Sequence, residues 1–519
     1  MSDQQPSHPI VNPWIIAISV MFATFMEVLD TTVVNVSLPH IAGNLSATVD
    51  EATWALTSYL VANAVILPMT GWLAAFMGRK RLLMISVAGF TTASLLCGLA
   101  PSLTVLVIFR IVQGATGGAL QPLSQAVLLE AFPPKDRGKA MAFWALGIVV
   151  APILGPVLGG YLTDNYSWRW VFYINLPVGI TSLIMTRLFI FDPAYIRRVG
   201  AKIDYWGIGL LAVGIGALQF VLDKGQEDDW FSSHRIVALS IIAAVCLVVL
   251  VIYELRIKDP VIDLRVFKDR SYSVGVFLMT VLGFVLYGSL VLLPIMLQTL
   301  LGYPPLQAGI AMAPRGIGSF VFMPFVGILT GHVDSRKLLF VGLVVGGSTL
   351  IWLGQLNLQA GYWDIFWPQW VQGMSMGLLF VPLTTVTMSG IPREKMGYAT
   401  SLFNLMRNLG GSIGIAATST MLARNQVRVA AALGTHMSAY DPTTQSRLSA
   451  MMQAFMAAGA DSVTALERAR AALAYELQRQ ATMITFVGIF ELLGALFVLL
   501  SPLVLLMKKP DHAEPVAAH

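Results

Sequence analysis

The sequence predicts an all-α protein built for a membrane, and three observations carry that prediction. Of its 519 residues 56% are hydrophobic and only 12% charged, with a mean hydropathy of +0.72, whereas soluble domains carry about 25% charged residues. The apolar residues gather into stretches of about 17 to 25, the length that crosses a bilayer as a helix. The basic residues cluster in the short segments between them. So few charges cannot cover so much apolar surface in water, which excludes a soluble multidomain enzyme.

Fourteen stretches are expected to span, near 14–37, 54–75, 82–100, 103–130, 140–162, 170–191, 206–222, 236–253, 272–298, 306–330, 338–357, 365–389, 398–423 and 482–507. Residues Met1 to Val11 are polar and lack a basic n-region, and the first stretch holds Glu27 and Asp30 and no small-residue cleavage site. It therefore reads as a retained helix and not as a removed signal peptide. An even number of spans puts both termini on one side.

Basic residues in short loops stay in the cytoplasm. Twenty lie on the side of the termini: Arg79, Lys80, Arg81, Lys135, Arg137, Lys139, Arg197, Arg198, Lys202, Arg256, Lys258, Arg265, Lys268, Arg270, Arg336, Lys337, Arg393, Lys395, Lys508 and Lys509. The short loops opposite hold only Arg169, Lys224 and Arg235. Both termini are assigned to the cytoplasm, which in a bacterium makes this an inner-membrane protein. One external segment is long, 424–480, with a turn at Asp441-Pro442 and helix-forming sequence over Asp461 to Gln478. It is read as helical and solvent-facing, either as an amphipathic hairpin on the membrane surface or as a docking surface for a periplasmic partner.

An internal repeat runs at a spacing of 256 to 259 residues. Gly71-Trp-Leu-Ala-Ala-Phe-Met-Gly78-Arg79-Lys80-Arg81 is echoed by Gly327-Ile-Leu-Thr-Gly-His-Val-Asp334-Ser-Arg336-Lys337, Val112-Gln113-Gly114 by Val371-Gln372-Gly373, and Gly138 by Gly397. Spans one to six thus match spans nine to fourteen, and spans seven and eight are an insertion. The expected domains are 1–200, an N-terminal six-helix bundle; 201–270, the inserted pair with a cytoplasmic linker; and 271–519, a C-terminal six-helix bundle carrying 424–480. Two parallel halves around a midplane cavity are the arrangement of the major facilitator fold.

A charged side chain in the hydrocarbon core costs roughly 2.5 to 3.5 kcal/mol, so each needs a partner or a task. Glu27 and Asp30, at i and i+3, share one helical face. Arg110 in span four is followed by Gln113 and Gly114. Asp30 lies about nine residues from Pro39, where span one is taken to end, and Arg110 nine from Pro101, where span four is taken to enter, so both sit roughly 13 Å deep. They can meet if the helices are neighbours, and protonating the acid would then release the arginine. The plainer reading is a static pair that fixes packing. Against it stands an asymmetry: the repeat equivalent of Arg110 is Gln369, and span nine has no carboxylate.

Span five carries Gly155, Pro156, Gly159 and Gly160, where glycines permit close approach and the proline bends the helix, to pivot, to seal or simply to pack. Asn404, Arg407 and Asn408 form a polar stripe on span thirteen. With Gln113 and Glu491, the latter an acid that could attract cations, they are candidates to line a substrate cavity, each equally readable as a satisfied packing residue. The same holds for Arg315. Trp72, Trp144, Trp367 and Trp370, with Met374, Met376 and Met388, could line an adaptable pocket but are more simply lipid-facing or packing residues. Cys97 and Cys246, both in apolar runs, offer no disulfide framework and no metal cluster. The sequence has no GxxxxGK[ST], HExxH or CxxC motif, so no metal, cofactor or ATP site is expected and the energy source is expected to be an ion gradient.

Taken in order, Leu29-Asp30-Thr-Thr-Val-Val-Asn35-Val-Ser-Leu-Pro39, the Gly71–Arg81 loop, Arg110-Ile-Val-Gln113-Gly114, Gly155-Pro156-x-x-Gly159-Gly160, Ile203-Asp204-Tyr-Trp-Gly207 and Leu222-Asp223-Lys-Gly225 resemble the fourteen-span drug:proton antiporters of the major facilitator superfamily, in the EmrB-type branch, over nearly the whole chain. The resemblance implies export of hydrophobic drug-like compounds by proton antiport, with Asp30 and Arg110 as the coupling pair and the span five motif marking exporters. It implies a cytoplasmic gate at Gly71, Gly78, Arg79 and Arg81. It also implies an EmrA-like periplasmic adaptor and a TolC-like outer-membrane channel as partners. Two positions depart from the pattern: Ala75 stands where the loop usually has an aspartate, a role left to Asp334 in the second copy, and Thr116 replaces a glycine. Glu27 lies outside the matched motif. A proton-coupled nutrient importer and a non-transporting membrane sensor are the alternatives.

Overall fold

The computed structural model describes residues 12–192, 204–257, 260–437 and 440–508, with all helical side chains except those of residues 49, 50, 153, 156, 305 and 306. Arg197, Arg198, Lys202, Lys258, Lys509 and the side chain of Pro156 lie outside the described residues.

Every expected span contains a helix. The first half comprises α1 (Pro13–Asn44), a short α2 (Val49–Ala52), α3 (Trp54–Met77), α4 (Arg79–Leu99), α5 (Leu103–Gly117) continued by α6 (Leu120–Ala131), α7 (Arg137–Asn165), and α8 (Trp170–Tyr173) leading into α9 (Asn175–Phe189). The inserted pair is α10 (Tyr205–Lys224) and α11 (His234–Arg256). The second half comprises α12 (Arg270–Thr299), α13 (Pro305–Leu329), α14 (Ser335–Leu353), α15 (Tyr362–Ser389), α16 (Met396–Thr435), α17 (Pro442–Ala457) and α18 (Ser462–Leu500).

Twelve helices among the described residues are long and apolar enough to cross a membrane, and thirteen if α7, bent by 42° between Pro152 and Val157, is one span. Pro152 lacks the amide that would close its helical hydrogen bond, a sufficient cause for a bend. All fourteen expected spans are helices; the one that fails the apolar criterion is α16, whose stripe of Asn404, Arg407 and Asn408 faces protein and not lipid. Span one is longer than expected: Pro39 lies inside α1, which continues to Asn44. The span near 103–130 is broken at Gly118-Ala119 between α5 and α6.

Within each half the same neighbours recur. In the first, α1 packs on α7, α3 on α5, and α4 on α5 and α9; in the second, α12 packs on α16, α13 on α15, and α14 on α15 and α18. The halves meet along two seams, α3 with α16 and α7 with α13, and the repeat shows why. A Cβ on Gly71 would lie 2.7 Å from Tyr398 Cα and 2.9 Å from the Gly397 carbonyl carbon, while one on Gly138 would lie 3.0 Å from Thr330 Cβ and 3.1 Å from Gly327 O. Gly71 and Gly327 are repeat partners, as are Gly138 and Gly397. The basic-loop end of the molecule is thus shut by two related glycine contacts that any side chain would hold open. The inserted helix α10 lies along one seam only, contacting α3 and α16, with α11 stacked outside it and largely apolar toward lipid.

The segment 424–480 is helical, as expected. α16 and α18 are unbroken over 40 and 39 residues, each about 60 Å at 1.5 Å per residue, twice the hydrocarbon thickness, so both are longer than a span needs, and α17 packs on α18. Asp441 and Asp461 cap α17 and α18, accepting from Thr444 N, and from Val463 N and Thr464 N.

Candidate functional site

Asp30 and Arg110 meet in the interior of the first half. Asp30 lies on α1 and Arg110 on α5, and neither has exposed surface. Arg110 Nη1 donates to Asp30 Oδ2 at 2.5 Å and to Gln113 Oε1 at 2.8 Å, and its Nε donates to the Ala55 carbonyl at 2.8 Å. The other carboxylate oxygen accepts from Gln113 Nε2 at 2.8 Å and from Asn175 Nδ2 at 2.7 Å. Asn175 reaches Ser94 Oγ as well, at 3.0 Å. Tyr59 covers the guanidinium with its ring, 4.1 Å from ring centre to Cζ, a geometry that favours a cation over a π face. Three donors, one of them a cation, thus converge on the Asp30 carboxyl. Gln113, expected in a substrate cavity, is fully buried and serves this pair instead.

One helical turn away, Glu27 forms a second buried cluster. It accepts from Asn63 Nδ2 at 3.0 Å and from Tyr59 OH at 3.5 Å, so Tyr59 touches both acidic centres. Gln121 Nε2 also donates to Glu27, and its Oε1 accepts from Arg407 of the other half. A carboxylate of α1 is therefore joined through one amide to a guanidinium of α16. Next to this bridge Asn404 Nδ2 donates to Gln125 Oε1 at 2.6 Å, a second link across the halves. Asn408, half-buried, accepts from Arg407 at 3.5 Å. The expected stripe of Asn404, Arg407 and Asn408 is thus a contact between the halves.

The glycines of span five pack on the turn of α1 that follows Asp30. A Cβ on Gly155 would lie 2.6 Å from Thr32 Cβ, and one on Gly159 would lie 2.8 Å from Val33 O, whereas Gly160 has nothing within 4 Å. Thr32 Oγ1 donates to Leu29 O at 2.9 Å and stands 3.5 Å from Ala151 O. The glycine contacts of α7 therefore fall two and three residues after Asp30 on α1. Thr116, the departure in span four, is received by a glycine on the neighbouring helix: a Cβ on Gly89 would lie 3.2 Å from Thr116 Cβ.

At the basic-loop end Gly78 adopts φ +88°, a region that favours glycine, and its turn presents Lys80 N to Asp192 Oδ1 at 2.8 Å. Arg79 pairs with Glu130 of α6, both largely buried. Arg81 is exposed. Asp334 caps α14 and pairs with Arg336 at 2.8 Å. The aspartate missing at Ala75 thus leaves Arg79 with a partner from another helix, Glu130.

Glu491 does not join any of these clusters. It is exposed on α18 beside Gly354, because α14 and α18 pack at the periphery of their half. Trp144 is buried with Nε1 donating to Thr24 at 3.3 Å, Trp72 stacks on Phe76, and Trp367 is half exposed in an aromatic row with Trp363 and Phe366, so these are packing and lipid-facing residues.

Sequence reasoning missed Tyr59, Asn63, Gln121, Gln125, Asn175 and Glu130. A signal was available: Tyr59 and Asn63, and Gln121 and Gln125, are polar pairs at i and i+4 within apolar helices, the spacing that puts both on one inward face. Asn175 is a lone amide in an apolar run, which a bilayer tolerates only with a partner.

The major facilitator superfamily model matches residues 20–415. The multidrug export protein EmrB of Haemophilus influenzae is 42% identical over 83% of this chain and 85% of its own. The fatty acid resistance protein FarB of Neisseria gonorrhoeae is 40% identical over 98% of this chain and 99% of its own. Among solved structures, the human organic anion transporter MFSD10 aligns over 95% of this chain and all of its own with a TM-score of 0.58 at 14% identity, a likeness of fold. With paired seams, repeated bundles and a family match over most of its length, the chain belongs to the major facilitator superfamily.

Proposed function

We propose that this protein is a multidrug exporter that moves hydrophobic, drug-like or toxic compounds out of the cytoplasm or inner leaflet in exchange for protons, by alternating access. The observation that carries the proton reading is the fully buried Asp30–Arg110 pair, whose acid is backed by Gln113 and Asn175 and abuts the glycine turn of α7. Protonating Asp30 removes the countercharge of Arg110 and weakens the pair, while Tyr59, Glu27 and Gln121 connect that event to Arg407 in the other half. Related proteins with multidrug export in their names support the direction of transport.

The basic loops support an inner-membrane location with both termini in the cytoplasm. On that orientation the glycine seams close the cytoplasmic side, and Gly71, Gly78, Arg79, Arg81 and Asp334 belong to the gate there. The functional units are 1–200, 201–270 and 271–519. The projecting ends of α16 and α18 with α17 are the surface for an EmrA-like adaptor leading to a TolC-like channel. Inverted membrane vesicles test the reading: acidifying their interior should drive ethidium inward, and collapse of the gradient should stop it. Flux in the opposite sense would make the protein an importer, and absence of proton-dependent flux a sensor.

A further inference from the structure

The repeat places a second buried cation where nothing balances it. A Cβ on Gly114 of α5 would lie 3.0 Å from the carbonyl carbon of Tyr59, and a Cβ on its repeat partner Gly373 of α15 would lie 2.9 Å from the carbonyl carbon of Arg315. Tyr59 and Arg315 therefore occupy equivalent positions, on α3 and α13, as do Arg110 and Gln369, and Gln113 and Gln372. In the first half this position holds a tyrosine whose hydroxyl reaches Glu27 and whose ring covers Arg110. In the second it holds a guanidinium, 6% exposed.

Among the described residues Arg315 takes part in no ion pair and no side-chain hydrogen bond, and its Nη2 is buried without a partner. Among the described residues of the second half, the buried charged side chains are Arg315 and Arg407, both cationic. Gln369, 1% exposed, has an Oε1 without a donor, and its amide is bonded only to Gln372 Oε1 at 3.3 Å. A guanidinium cannot shed its charge to escape the cost of burial, so a buried one without a partner favours an anion that reaches it.

We propose that Arg315 is a substrate-recognition residue that binds the negatively charged group of an amphipathic organic anion, a carboxylate being the best geometric match to its planar fork. The proposal rests on the exporter reading and adds a substrate class to it. It also gives the two halves separate tasks, a proton on the acids of the first and an anionic group on the cation of the second.

The test uses octanoate and its neutral isostere octanamide with the full-length protein purified in detergent, reading thermal unfolding. Wild type should bind octanoate about tenfold more tightly than octanamide, a fold-change typical of one charge-assisted contact. Arg315→Gln should abolish that preference and Arg315→Lys retain part of it. In inverted vesicles the ratio of octanoate to ethidium flux should fall about as much in Arg315→Gln. No preference in wild type, an unchanged preference or flux ratio in Arg315→Gln, or equal stabilisation by chloride alone would each overturn the proposal. The exporter reading fails separately, if wild type shows no proton-driven ethidium flux while the binding preference stands.

Discussion

Replacing Asp30 by Asn keeps the shape of the side chain and removes one charge, so its effect can be worked from the contacts. Asp30 accepts from Arg110 at 2.5 Å, Gln113 at 2.8 Å and Asn175 at 2.7 Å. An amide in its place has one acceptor and turns an NH2 toward donors. Removing one member of a buried ion pair costs about 3 to 5 kcal/mol. Part of this is recovered, because Arg110 keeps Gln113 Oε1, the Ala55 carbonyl and the Tyr59 ring, a cation–π contact being worth up to about 2 kcal/mol when desolvated. A net loss of roughly 1 to 3 kcal/mol is expected for the paired arrangement, or a factor of about 5 to 150 at 1.36 kcal/mol per tenfold. Any conformer that wets Arg110 gains by that factor. The assay is substrate-induced proton release from the purified protein in weak buffer: wild type should release protons on adding ethidium, and Asp30→Asn should bind ethidium and release none. Proton release of wild-type size from a folded Asp30→Asn, or undiminished efflux by Arg110→Ala, would refute the assignment of coupling to this pair.

Three further substitutions probe the surroundings. Gly155→Ala drives a methyl into Thr32, an overpacking worth about 1 to 3 kcal/mol, and should reduce ethidium efflux severely, with partial recovery in the Gly155→Ala, Thr32→Ala double variant; Gly160→Ala, with open space around it, should be near wild type. Gln121→Leu removes the amide between Glu27 and Arg407 and leaves two buried charges without it, each lost hydrogen bond to a charged group costing about 1.5 to 3 kcal/mol; efflux should fall more than tenfold in vesicles, and normal efflux would show that the bridge is idle. The Thr444 N–H and hydroxyl hold the Asp441 carboxyl, and the Thr464 hydroxyl and N–H the Asp461 carboxyl, below the ordinary aspartate range, so their stabilisation is full above an unfolded value of about 4 and disappears as pH falls through the lower folded value. Asp461→Ala should accordingly speed amide exchange at Val463 and Thr464 at neutral pH, and wild type should do the same only in acid.

The residues that could be singled out from the sequence were those that break a local rule. Asp30, Arg110 and Glu27 stand out as charges in apolar stretches, and Gly155 and Gly159 as small residues at helical spacing; the repeat was legible because both copies keep the same glycines. Glu491 and Gln113 broke the same rules, and the fold puts Gln113 on the Asp30–Arg110 pair and leaves Glu491 exposed on α18. Whether a polar residue on a helix faces lipid, cavity or protein depends on the neighbouring helix, and hydropathy is silent about neighbours.

What the sequence by itself determined is the set of apolar spans and their duplication, since hydrophobic length acts on each segment as it meets the bilayer. What only the tertiary structure decided is who partners whom. Asp30 meets residues 80, 83 and 145 positions away, and Gln121 meets one 286 away. Such pairings are set by the packing of whole helices, where a buried charge selects among many possible partners the one that the fold brings within bonding distance.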